Sequence, residues 1–238
     1  MKTTRNLTFF AVVVIGLLLS CQVWGVKGDG NNKRETRTVS SFNSVEIGGA
    51  FDLTISQGTA QSVIVEADDN ILPLIRTEVV GNTLKIDTKK PIHHASKMKI
   101  FLTVVDLKRI DASGAVNIQT ENRLTVPELT ISGSGASDGK MDLAVQKLNI
   151  DMSGSCNMHF SGTAENVSLD GSGAVNLHAF DLVAQNYNLD ISGAGKAEIN
   201  VAKELKADIS GAANVYYKGE PTQMFQDVSG AGSIRKVN

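Results

Sequence analysis

The stretch "LDGSGAVNLHAF", Leu169 to Phe180, sets an Asp, a Ser-Gly-Ala corner and an Asn ahead of residues that alternate between apolar and polar. Nearly the same phrase returns as "IDMSGSCNMHF", "LDISGAGKAEI", "ADISGAANVYY" and "QDVSGAGSIRK". Aligned on the Ser before the Gly, copies stand at Ser113, Ser134, Ser153, Ser172, Ser192, Ser210 and Ser229, spaced by 21, 19, 19, 20, 18 and 19 residues. A short, nearly fixed period predicts a solenoid in which each unit buries its apolar side against its neighbours.

Within the unit the period is two. Three residues before the Ser come Ile110, Ile131, Ile150, Leu169 and Leu189; five after it come Ile118, Met158, Leu177, Val215 and Ile234. Most intervening positions are polar, the mark of half-buried strands rather than helices. At about 3.3 Å per residue, 19 residues have a contour near 60 Å, enough for two or three short strands around a narrow core. The expected fold is therefore all-β: a right-handed parallel β-helix (β-solenoid) of about 19 residues per coil, the hand following from the preference of parallel crossovers. Gly114, Gly135, Gly154, Gly173, Gly193, Gly211 and Gly230 then turn successive corners at one height, and Asn117, Asn157, Asn176 and Asn214 follow as turn or ladder residues.

Upstream, "VEIGGAFDLTI" from Val45 to Ile55 fits the same template with Gly48 in the Ser slot, as a degenerate first coil. Strand-like runs around a short helical turn near Asp68 to Ile75 separate it from the regular repeats and predict a β-rich N-terminal cap, which solenoid ends need. The expected organisation is a lipoprotein-type signal peptide over 1–20, a flexible tether over 21–38 and one domain over 39–238. Within that domain, 39–106 are cap and first coil, and 107–238 are regular coils.

The signal reading rests on Lys2 and Arg5, the apolar run from Leu7 to Leu19, and "LLSC", which resembles a bacterial lipobox. It makes Cys21 the lipidated residue and the membrane a partner through that lipid, with "GDGNNKRETR" (Gly28 to Arg37) as the tether. An ordinary signal cleaved nearby or an uncleaved anchor helix are the competing readings. Twenty-two Gly against 4 Pro in 238 residues favour turns and many short elements. Loss of residues 1–20 takes two of 23 cations and none of 25 anions, leaving a net charge of −4. No basic cluster marks a phosphate-binding face, so nucleic acid is excluded as a partner. Cys156 shares its slot with Val116, Ser137, Val175, Gly195, Ala213 and Gly232, which reads as a small core residue rather than a nucleophile.

Two outward columns invite a chemical reading. Two positions before the Ser stand Asp111, Ser132, Asp151, Asp170, Asp190, Asp208 and Asp227. The favoured expectation is a structural column, each Asp accepting hydrogen bonds at its own corner; a Ca²⁺ ladder of oxygen ligands is the alternative. Six after the Ser stand Gln119, Lys140, His159, His178, Glu198, Tyr216 and Arg235, an exposed stripe in which two His make only a weak metal site. His93 and His94 fall in a loop, "KKPIHHASK". No Ser, His and Asp set forms a triad, the Asp column lacks a matching cationic column of the kind β-helix lyases use, and the period is not the six of hexapeptide acyltransferases. No cofactor, metal or catalytic residue is assigned.

The run "VEADDNILPLIRTEVVGNTLKI" followed by "SGAxN" corners resembles the family called putative auto-transporter adhesin, head GIN domain, of Bacteroidetes, over about Val39 to Asn238. The resemblance implies a pectin-lyase-like β-helix and a role in cell adhesion, and carries over no catalytic or binding residue. The function expected is a non-enzymatic, lipid-anchored protein of the cell envelope, at the outer membrane, presenting an extended surface to a glycan, protein or cell. A polysaccharide-active β-helix enzyme and a purely structural envelope component are the alternatives.

Overall fold

The computed structural model describes residues 25–237; the expected signal segment and Cys21 lie outside them. The described chain is all-β, with one 3₁₀ turn at Leu72–Leu74. The regular repeats fall in β9 (Arg109–Thr120), β10 (Leu124–Lys218), β11 (Gln223–Gly230) and β12 (Ser233–Lys236). β10 is 95 residues of continuously extended backbone. Drawn out straight it would span roughly 300 Å, so it must wind back upon itself.

The pairings show how. β9 runs parallel to the start of β10 with Ser113 opposite Ser134 and Gly114 opposite Gly135. The end of β10 runs parallel to β11 with Ser210 opposite Ser229 and Gly211 opposite Gly230, and to β12 with Asn214 opposite Ser233. Each repeat lies on the one before it with like residues in register. At Gly173, φ is +98°, and a Cβ there would lie 2.5 Å from the carbonyl oxygen of Gly154. At Gly193, with φ +141°, it would lie 2.4 Å from the oxygen of Gly173. Only a residue without a side chain fits where backbone crosses backbone so closely in the left-handed region.

Between corners the alternation of the sequence becomes the alternation of burial. Ile110, Ile131, Ile150, Leu169 and Leu189 are buried, as are Ile118, Met158, Leu177 and Val215, within one continuous aliphatic core. Tyr187 lies among them with its hydroxyl donating to the carbonyl of Leu182 at 3.2 Å. Cys156 is buried, with its thiol 3.9 Å from the carbonyl of Ser153.

The first repeat is carried by β3 (Ser44–Gln57), parallel to β9 with Gly48 opposite Ser113 and Gly49 opposite Gly114. Its far side is closed by β6 (Thr83–Thr88) and β8 (Met98–Val104), both parallel to it. β5 (Ile75–Val80) pairs with β6 as a hairpin. β4 (Ser62–Asp68) lies antiparallel to β8, and β2 (Asn32–Thr36) antiparallel to β4. The large sheet thus runs β11, β10, β9, β3, β8, β4, β2.

The expected tether is one point where the structure departs from the sequence reading. β1 (Val26–Lys27) pairs with β7 (Ile92–His94), and β2 is the edge strand just described. Polar residues make this segment look loose, but their partners lie far along the chain. Lys33 pairs with Asp69 at 2.6 Å, and Arg34 with Glu66 at 2.5 Å while lying over the Phe101 ring. Asp68, almost wholly buried, accepts from the Ser96 amide at 3.0 Å and from its hydroxyl. Among the described residues no helix is long and apolar enough to cross a membrane.

Candidate functional site

The Asp column opens onto a shallow groove of about 570 Å³ that runs across repeats. Glu46, Asp111, Asp151 and Asp170 bring carboxylates to it, Ser113, Ser132, Ser134, Ser153 and Ser172 bring hydroxyls, and Arg109 is its one cation. Arg109 forks onto Asp111, Nε lying 2.9 and 2.7 Å from the two carboxylate oxygens, and its terminal nitrogen donates to Ser132 Oγ at 3.2 Å. The hydrogen bonds to Asp111 raise the guanidinium's proton affinity above its ordinary value, against burial, which works to lower it. Arg109 was not singled out from sequence, yet it stands two residues before Asp111, and on a strand i and i+2 share a face.

The corner role expected of the carboxylates is not what the structure shows. Of the column's carboxylates, only Asp111 has a hydrogen-bonded side-chain partner among the described residues, and that partner is Arg109. Asp151, Asp170, Asp190, Asp208 and Asp227 are exposed. The cause lies in the pleat. Asp170 sits between buried Leu169 and buried Gly171, so its side chain points to solvent, and at the corners of Ser113 and Ser229 the backbone is held in the ladder to an adjacent repeat. Among the described residues no three His, Cys, Asp or Glu side chains gather closely enough to hold a metal ion.

After the corner, a second face carries the other column. His159 and His178 stack with ring centroids 4.4 Å apart and planes 12° apart. His178 Nδ1 meets Glu198 at 2.5 Å, and Lys196 also pairs with Glu198. Burial works to raise the Glu198 carboxyl, but hydrogen bonds from Lys196 and His178 outweigh it and hold the group below the ordinary carboxylate range. Tyr216 has Lys196 over its ring at 5.5 Å, and Phe180, two residues beyond His178, has Lys218 over its ring at 4.7 Å. The aromatic faces here are covered by cations rather than open for stacking. Phe180 was missed from sequence because its column is mostly polar, with Glu121, Asp142, Ser161, Asn200 and Lys218. His93 and His94 line a separate hollow of about 720 Å³ beside the first corner, with Phe51, Asp52 and Lys97.

Chemically, the groove offers acceptors and hydroxyls with one cation already engaged, and the second face offers an ion-pair network. Burial pushes the Cys156 thiol up, away from the thiolate a nucleophile needs.

No curated protein matches the sequence. Among solved structures, the chain is similar to a putative adhesin from Bacteroides fragilis, 28% identical with a TM-score of 0.86, over 90% of this chain and 100% of that one. A putative adhesin from Parabacteroides merdae is 26% identical with a TM-score of 0.75, over 90% of this chain and 99% of that one. A putative lipid binding protein from Parabacteroides distasonis, at 21% identity and a TM-score of 0.64 over 90% and 100%, shares the fold. The family model for the putative auto-transporter adhesin, head GIN domain, matches residues 41–221, spanning six of the seven Ser-Gly corners, and the chain belongs to that family.

Proposed function

We propose that this protein is a non-enzymatic adhesin of the cell envelope, anchored through lipid on Cys21 at the outer membrane, whose repeats form a right-handed parallel β-helix of about 19 residues per coil. Its body, residues 39–238, presents one long polar face to a glycan, a protein or a neighbouring cell. The observation that carries the reading is the in-register stack: each repeat sets the same outward positions above those of the last, as an extended recognition surface requires and a single reaction centre does not. Family membership and the likeness to adhesins support it.

The test is attachment. Cells with and without the protein are compared for binding to glycan and protein arrays, and mass spectrometry of the mature N-terminus looks for acylated Cys21. Equal binding by both cell types would remove the adhesin reading; an unmodified N-terminus beginning elsewhere would remove the anchor.

Arg109 among the groove carboxylates favours one rival, a polysaccharide-cleaving enzyme that sets a cation against an Asp. Incubation with a polysaccharide panel distinguishes the two, because new reducing or unsaturated ends that vanish in Arg109→Ala would establish turnover.

A further inference from the structure

The sheet ends in two edge strands of opposite character. β2 carries Lys33, Arg34 and Glu35 within five residues, the kind of charge with which natural edges discourage pairing. β11 is eight residues long, exposed at every position, and has one charge, Asp227. Its register places Met224 over Leu205 and Val228 over Ile209. Those two β10 residues are fully buried, whereas Met224 is 37% and Val228 40% exposed, because β11 pairs only with β10 among the described residues. Phe225, on the opposite face of the strand, is 55% exposed.

A head-to-tail contact would need a free edge at the other end, but β6 and β8 close the far side of β3 and β2 is charged. An isologous contact needs only β11 itself. Antiparallel pairing about a twofold through Gln226 sets Met224 of each copy opposite Val228 of the other, on the face that continues the core. It also sets Asp227 opposite Phe225, so the two carboxylates do not meet. Shifting the twofold to Asp227 opposes the carboxylates directly and pairs Val228 with Gln226. Shifting it to Phe225 pairs Met224 with Gln226 and leaves Val228 opposite Thr222. Of these three, the Gln226 register alone opposes Met224 and Val228 and separates the like charges.

We infer that β11 is the docking strand for a second copy of this chain, joined antiparallel through Gln226. The experiment uses the full chain in mild detergent. Sedimentation equilibrium over the micromolar range should show a monomer–dimer equilibrium, and Val228→Lys, with its circular-dichroism melt retained, should lose the double-mass species. Gln226→Cys should cross-link to itself on mild oxidation, well above the parent's background, since directly opposed strand residues have Cα atoms about 4.5 to 5.5 Å apart, within disulfide reach. Gln223→Cys, which faces Ser229 in this register, should not. If Val228→Lys fails to fold, the two cysteine variants decide. A parent that stays monomeric throughout, with or without binding an extended peptide, overturns the inference. So does a dimer that survives in folded Val228→Lys, or cross-linking at 223 as efficient as at 226.

Discussion

Adding one methyl group at Gly173 places a Cβ 2.5 Å from the Gly154 carbonyl at a φ of +98°. The left-handed region disfavours an L residue by about 1–2 kcal/mol, and the clash adds to that. Gly173→Ala is therefore expected to melt at least about 2 °C lower, at roughly 2–4 °C per kcal/mol for a domain of this size. Asp170→Ala should do almost nothing, because an exposed side chain without partners changes stability by about 0.5 kcal/mol or less. Millimolar Ca²⁺ should leave both melts in place; stabilisation of the parent alone would make the column a metal site. Ser137, in the Cys156 slot, is buried with a hydroxyl that has no hydrogen-bond partner among the described residues. Removing an unsatisfied group of this kind gains about 1 kcal/mol or more, so Ser137→Ala should raise the melting temperature by a few degrees. The inward residues were legible because alternation reports facing. The Asp role was not, because a column in the sequence does not tell whether the backbone amides beside it are already engaged.

At the scale of elements, β1 and β2 show what composition conceals. A polar segment with a charge at nearly every other residue reads as a tether, and the same composition suits an exposed edge strand. What separates the two is the set of partners, Glu66, Asp69 and Ser96, 32 to 64 residues away along the chain. That attachment is acid-sensitive. Hydrogen bonds from Ser96, and from the Gly30 amide just before β2, hold the Asp68 carboxyl below its ordinary value, and the hydrogen bond from Arg34 does the same for Glu66, in both cases against burial. Groups with depressed values stabilise fully above the unfolded carboxylate pKa, near 4, and the stabilisation fades as pH falls through the folded value. Hydrogen exchange at β2 is thus expected to quicken below about pH 4, ahead of exchange in β10; equal rates for the two strands at every pH would contradict this attachment.

For the whole molecule, the repeats behave as a row of nearest neighbours, so the effect of a lesion depends on where in the row it falls. Both substitutions drive a Cβ into the preceding repeat, Gly193→Ala into Gly173 and Gly230→Ala into Gly211, but Gly193 lies inside the stack with Gly211 upon it, whereas Gly230 lies in the last described repeat. The first should lower the global melt, and the second should chiefly speed hydrogen exchange in β11 and β12. Equal global losses would show that the stack does not transmit stability in this way. The stacking of repeats was legible because seven copies left no other use for the Ser-Gly pair. The wrapping of the first repeat by β2, β4, β6 and β8 was not, because no phrase recurs there to align.

Glycine upon glycine from Gly49 to Gly230 makes seven steps, which at about 4.8 Å each span roughly 34 Å. Because every step repeats the last, duplicating or deleting one unit within a gene changes the height of the column without asking any neighbour for a new kind of contact. Height is then a quantity set in whole increments, independent of the outward chemistry of each tier.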